Sequence, residues 1–314
     1  MFAYILRRLG FLILTLLLTS IIIFVITQLL PGDVCRVILG REVGQASIDS
    51  CRINLGLNNP VLTRYLNWLA DFVSGDWGIA YSTNTDIQPL VVERLGNSLR
   101  LAGLTLLISV PLATVLGALA ALNEGRLLDN LISVGSLSVV GLPEFVTGII
   151  LIELLAFRVG LPANSSIRAG TPFFEALPSL ILPALTATFV LLAYIARLTR
   201  AGVLEELKQD YVRTAYLKGL SQRTVLFKHV LRNALLPTIT VVAISFGWLI
   251  SGLVVIENVF NYPGLGRLMI FAISRRDLPM LQAISMITVL AFAIANLAAD
   301  LLYASLNPRI RVGE

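Results

Sequence analysis

Residues 9–30 read LGFLILTLLLTSIIIFVITQLL, a run of 22 residues without one ionisable side chain. About twenty apolar residues cross the hydrocarbon core of a bilayer as a helix. In lipid a helix satisfies its own backbone hydrogen bonds, so the run reads as helix rather than strand. Residues 101–123 form a second uncharged run, and 131–157 a third, interrupted by Pro143, Glu144 and Glu153. Residues 176–196, with Pro178 and Pro183 near the start, then 235–256 and 281–306 complete six. Composition agrees, because only 14% of the 314 residues are charged while 56% are hydrophobic and the mean hydropathy is +0.84. Soluble domains carry about a quarter charged residues. The sequence therefore predicts an all-α integral membrane protein with six transmembrane helices in one domain spanning residues 1–314.

Lys and Arg in short loops set the orientation. Six spans put both termini on one side with the 123–130 loop and the long loop 197–235. That side carries Arg7, Arg8, Arg126, Arg309, Arg311 and eight basic residues of the long loop. The other side has Arg158, Arg168, Arg267, Arg275 and Arg276 in its shorter loops. Both termini are thus expected in the cytoplasm. Arg7-Arg8 before an apolar run also resembles a signal peptide. Such peptides have shorter apolar regions and end at small-residue cleavage sites, whereas this run ends in Leu-Leu-Pro-Gly-Asp. It is kept as the first span. The net charge of +5 suits this topology and gives no case for nucleic acid.

The external segment 31–100 is the largest soluble piece. Within it, Leu62, Tyr65, Leu66, Leu69, Phe72 and Val73 recur at helical spacing against Arg64, Asn67 and Asp71. This predicts an amphipathic helix packed on the external mouth of the spans. Cys35 and Cys51 both fall in this segment. In an oxidising compartment they are candidates for a disulfide. The alternative is two buried free thiols too far apart to bridge.

The search for chemistry returns little. No phosphate-cradling G-x-x-x-x-G-K-[ST] sequence occurs. One histidine and two external cysteines make no metal cluster of usual spacing, and no nucleophile motif is recognisable. The chain reads as non-catalytic and free of metal. Ionisable groups within spans are costly and usually face the bundle interior. Glu144 follows Pro143, where a kink is expected. It is a candidate for the translocation path or for a polar contact with a neighbouring helix. Glu153 lies nine residues on, which at about 100° per residue puts it on the opposite face. Glu257 and Asp300 sit near helix ends, within reach of an interface.

The loop between the fourth and fifth spans reads RLTRAGVLEELKQDYVRTAYLKGLSQRTVLFKHVLRNALLP (197–237) and holds all three lysines, five arginines and the only histidine, His229. Val203–Leu207 extends the fourth span. Asp210 is expected to cap a helix over 211–218 that Gly219 ends in the left-handed conformation. Ser221 then opens a second helix over 222–231, and Pro237 marks the return to the membrane. Two short helices around a glycine make a compact knob. Its contact face would be Tyr211, Thr214, Ala215 and Leu217, with a basic rim of Lys218 and Arg223. A loop lying on anionic headgroups would explain the charge but not the helix–glycine–helix order.

Gln209-Asp210-Tyr211-Val212-Arg213-Thr214-Ala215, then Lys218-Gly219-Leu220-Ser221, then His229-Val230-Leu231-Arg232-Asn233-Ala234-Leu235-Leu236-Pro237, resembles the cytoplasmic signature loop of ATP-binding-cassette importer permeases. The resemblance is to the dipeptide/oligopeptide/nickel branch. Glu257-Asn258-Val259-Phe260 with Pro263-Gly264-Leu265-Gly266-Arg267, and Arg276-Asp277-Leu278-Pro279, continue it, as do Gly75-Asp76-Trp77-Gly78 and Pro143 with Phe145. Arg7-Arg8-Leu9 and Pro31-Gly32-Asp33 resemble the first, "B"-type, of the two permeases that such systems encode. The general signature begins Glu-Ala-Ala; here Arg213-Thr214-Ala215 replaces it, so Arg213 would need an acidic or backbone partner on the ATPase in place of a glutamate-mediated bridge.

The resemblance implies the type I importer permease fold in a bacterial inner membrane. It implies a second homologous permease, two ATPase subunits that bind ATP and Mg, an extracytoplasmic substrate-binding protein, and no cofactor on this chain. The coupling residues would be Glu205, Asp210, Tyr211, Val212, Arg213, Thr214, Ala215, Lys218, Gly219 and Ser221. The solute would be a peptide or a peptide-like molecule. A stand-alone proton-coupled transporter using Glu144 or Asp300, or a membrane scaffold, are the rival readings.

Overall fold

The computed structural model describes residues 2–29, 34–40, 43–168 and 170–306. Among them there is no strand, only one isolated antiparallel bridge between Ile79 and Asp86. Pro31, Gly32 and Asp33, and Arg309 and Arg311, lie outside the described residues.

Helix α1 (Phe2–Leu29) contains the first apolar run. After it come α2 (Val34–Leu39), α3 (Gln45–Asn54) and α4 (Val61–Ser74). Helix α4 is the expected amphipathic helix. Its Tyr65 and Trp68 pack on Phe24 of α1, with ring centroids 5.4 and 5.7 Å apart, and Phe72 stacks on Trp77. Cys35 and Cys51 are joined across α2 and α3, with Cα atoms 5.9 Å apart. Helix α5 (Ile87–Leu122) starts well before residue 101, so the last part of the segment 31–100, read as external, is already helical.

The region 131–157 is not one straight span. Helix α6 (Leu127–Val140) and α7 (Glu144–Leu151), continued by a π turn (Ile152–Ala156) and a short α8 (Phe157–Val159), meet at 107°. Pro143 lacks an N–H and disfavours helix in the residue before it, so the chain breaks at Gly141–Pro143. The π turn contains Glu153 and departs from the α-helical period on which the opposite-face reading rested.

Helix α9 (Phe173–Leu207) carries the fourth apolar run and continues into the long loop, with Pro178 and Pro183 inside it. The knob follows as α10 (Asp210–Leu217), α11 (Gln222–Val225), a π turn (Leu226–Val230) and α12 (Leu231–Ala234). The fifth run divides at Leu253 into α13 (Leu236–Gly252) and α14 (Val254–Val259). Helices α15 (Leu265–Arg275) and α16 (Leu278–Leu306) complete the described chain. Helices α1, α5, α9 and α16 are each long and apolar enough to cross a membrane, and the bent α6–α8 pair is a fifth candidate.

Three apolar clusters hold these elements together. The largest joins α5, α7, α9, α13 and α14 through Leu101, Leu151, Leu180, Ile195, Leu249 and Ile256. A second, with Ile87, Val91, Leu265, Met280 and Ile284, ties the N-terminal end of α5 to α15 and α16. The third is the base of the knob. Helix α1 lies on α16, where Arg8 pairs with Asp300 at 2.8 Å and Gln282 donates to Thr27 Oγ1 at 2.7 Å.

Candidate coupling site

The knob stands on the C-terminal end of α9. Val212, Ala215, Val225, Val230 and Ala234 turn inward and meet Val203 of α9 and Ala121 of α5. Ala215 is therefore part of the base and not of the contact face that the sequence suggested. Gly202 allows the fit, because a methyl there would lie 2.7 Å from the Ala234 carbonyl oxygen. Helix α10 begins at Asp210 with Gln209 as its N-cap, so Asp210 does not cap it. Its carboxylate instead sits in the first turn, where the helix dipole favours negative charge. Gly219 has φ +79°, the left-handed turn predicted for it, and the Ser221 hydroxyl accepts from the Thr224 N–H at 3.3 Å to start α11.

The outward-facing residues include Asp210, Tyr211, Arg213, Thr214, Tyr216, Leu217 and Lys218, with Glu205 exposed in the last turn of α9. Leu217 is 80% exposed and Phe227 69%. Phe227 escaped the sequence reading, although an aromatic residue among the charges of the second knob helix was a usable signal. Tyr211 donates to the Glu206 carboxylate and accepts from Asn233 Nδ2 at 3.1 Å, which ties α10 to α9 and α12. Partial desolvation of its hydroxyl, reinforced by Glu206, raises the phenol above its ordinary value.

A bidentate ion pair braces this base against α6. Arg200 Nε and Nη2 each donate to Asp129 at 2.7 Å, and Asp129 also accepts from Gly125 N at 3.0 Å and Ser133 Oγ at 3.2 Å. The Arg200 hydrogen bonds hold the Asp129 carboxyl well below the usual carboxylate range. Beside the pair, α5 and α9 touch backbone to backbone at Gly117.

A second hub gathers α5, α14 and α15 around Glu257. Glu257 is completely buried rather than placed near an interface. It accepts from Ser98 Oγ at 2.5 Å, Gly266 N at 2.8 Å and Arg267 N at 3.1 Å, which caps the start of α15. Ser98 Oγ also accepts from Leu265 N at 2.8 Å, and Asn97 Nδ2 donates to the Pro263 carbonyl at 2.9 Å. Tyr262 donates to the Asn97 carbonyl at 2.8 Å. Gly264 has no room for a methyl group, which would overlap the Glu257 carboxylate. Asn97 and Ser98 were not singled out in the sequence, because nothing near them shows a partner more than 150 residues away.

Pro143 and Glu144 lie at the α6–α7 bend, far in sequence from the knob, with Pro143 exposed and Glu144 half-buried. Among the described residues the Glu144 carboxylate makes no hydrogen bond, and no group of three or more potential metal ligands forms.

Family models match nearly the whole chain. Residues 113–312 match the model for the binding-protein-dependent transport system inner membrane component, and residues 1–102 match the N-terminal model of the same systems. The chain belongs to this family. It is an inner-membrane permease subunit of an ATP-binding-cassette importer. A probable peptide ABC transporter permease of Sinorhizobium fredii is 38% identical over 312 residues, covering 98% of this permease and 99% of the relative. The glutathione transport system permease protein GsiC of Escherichia coli is 35% identical, covering 99% of each. A crystal structure of an amino acid ABC transporter with histidines superposes with a TM-score of 0.51 at 17% identity, over 70% of this chain and 94% of that one, and supports the fold.

Proposed function

We propose that this permease forms half of the path for peptides or peptide-like solutes such as glutathione, paired with a second homologous permease. Two separate ATPase subunits bind ATP and Mg and receive one knob from each permease; this chain itself catalyses no reaction. An extracytoplasmic binding protein delivers the solute to the external mouth. In this reading six spans cross the membrane and both termini are cytoplasmic, with the broken α6–α8 region and the α13–α14 pair each counted as one span. Pro143 and Glu144 stay candidates for the path.

The observation that carries the reading is the division of the knob into a buried base and an outward face. Val212 and Ala215 fix α10 to α5 and α9, while Tyr211, Arg213, Thr214, Leu217 and Lys218 are left for a partner. A displacement of the ATPases would then move α9 as a lever rather than bend a loose loop. Arg213 calls for an acidic or backbone acceptor on the ATPase where other permeases present glutamate. Lys218→Glu or Gly219→Pro should abolish uptake and solute-stimulated ATP hydrolysis in proteoliposomes while the complex still copurifies. Unchanged uptake by both variants would refute the assignment. The rival, transport by a stand-alone proton-coupled carrier, would show as pH-driven uptake by the chain without ATPases.

A further inference from the structure

Where α5, α6 and α9 approach the knob they enclose a cavity of about 170 Å³. That is comparable with an apolar cavity of about 150 Å³ that accepts benzene. Its wall is mainly small and apolar, with Gly117, Ala120, Ile132, Leu137, Ala193 and Ala196. Two guanidinium groups also line it, and they differ in one respect. Arg200 uses Nε and Nη2 on Asp129. Arg197 is exposed and has no hydrogen-bond or ion-pair partner among the described residues. On the same helical turns, Leu131, Val134 and Tyr194 present exposed apolar surface.

A charge left unpaired where a span ends attracts a counterion, and the arginine fork suits phosphate oxygens in particular. Basic pockets between spans on the cytoplasmic side are suited to anionic headgroups. We propose that this cavity binds an anionic phospholipid of the cytoplasmic leaflet, with its phosphate on Arg197 and the upper part of an acyl chain among Gly117, Ile132 and Ala193. The placement rests on the cytoplasmic location of the knob proposed above. An occupied cavity would add a bridge between α6 and α9 next to the Asp129–Arg200 pair.

The test is native mass spectrometry of the complete transporter, titrated with dioleoylphosphatidylglycerol or dioleoylphosphatidylcholine. The wild-type complex should retain the anionic lipid in preference to the zwitterionic one. Arg197→Gln should weaken phosphatidylglycerol retention about fivefold, the factor expected for one arginine near the surface, and leave phosphatidylcholine unchanged. The anionic lipid should also raise the melting midpoint of the wild type but not of the variant. Glycerophosphoglycerol, the headgroup without chains, should compete poorly. Equal retention by Arg197→Gln, no preference between the lipids, or equal competition by the chainless headgroup would each overturn the proposal. Lipid retention is read without transport, so failure of the uptake assignment would leave this result separately interpretable.

Discussion

Gly117→Ala should separate α5 from α9, and its cost can be worked from the contact. The added methyl would overlap the Ala196 carbonyl and lie 2.8 Å from Thr199 Cβ and 3.1 Å from Arg200 N. Non-bonded carbons settle at about 3.5–4.0 Å, so the helices must open by about 1 Å. The atoms in the way are mostly backbone and cannot rotate aside. Overpacking of this kind costs about 1–3 kcal/mol, whereas replacing glycine in a helix returns about 0.8–1 kcal/mol of propensity. Gly103→Ala on the same helix separates the two effects, because nothing lies within 4 Å of a methyl there. Equilibrium unfolding in mixed micelles, followed by tryptophan fluorescence, should place Gly117→Ala below Gly103→Ala by about 1–3 kcal/mol, the packing cost alone. Equal stability of the two variants would refute backbone contact between α5 and α9 at this point.

At the Glu257 hub, Glu257→Gln keeps the shape but turns a donor toward groups that already donate. It should cost about 1–3 kcal/mol in the same unfolding assay, and an unchanged midpoint would dissociate Glu257 from the start of α15. The Asp129–Arg200 pair gives a pH test. Because Arg200 lowers the folded carboxyl below its ordinary value, the stability is present in full above about pH 4 and lost as pH falls through the lower folded value. Melting curves should therefore show wild type above Asp129→Asn by a constant margin from about pH 8 to 5, closing only below about pH 4. A margin that closes near neutrality would contradict the pair. For Cys35 and Cys51, 16 residues apart in sequence, alkylation should label neither thiol before reduction and both after it. Closing a loop of this size stabilises by about 3 kcal/mol in the chain-entropy model.

Hydropathy made the membrane class legible, since uncharged runs such as 9–30 leave a helix in lipid as the economical solution for their backbone. Local chemistry made the knob legible too. Gly219 and Ser221 act through their own backbone and nearest turn, and both occur where the sequence placed them. The boundaries were less accessible. Helix α5 reaches back to Ile87 because Ile87 and Val91 are buried against α15 and α16, a contact that no local period records.

The sequence by itself determined what depends on neighbours along the chain: apolar length, the proline break before Glu144, and the glycine turn of the knob. Only the tertiary structure decided which side of α10 is buried, that Glu257 caps a helix, and that Asp129 holds Arg200 while Arg197 is left unpaired. Those outcomes depend on partners 9 to 159 residues away, as Gly266 and Ser98 are from Glu257. A carboxylate reads the same in sequence whether it meets water, lipid or two backbone N–H groups. Its environment is set by packing.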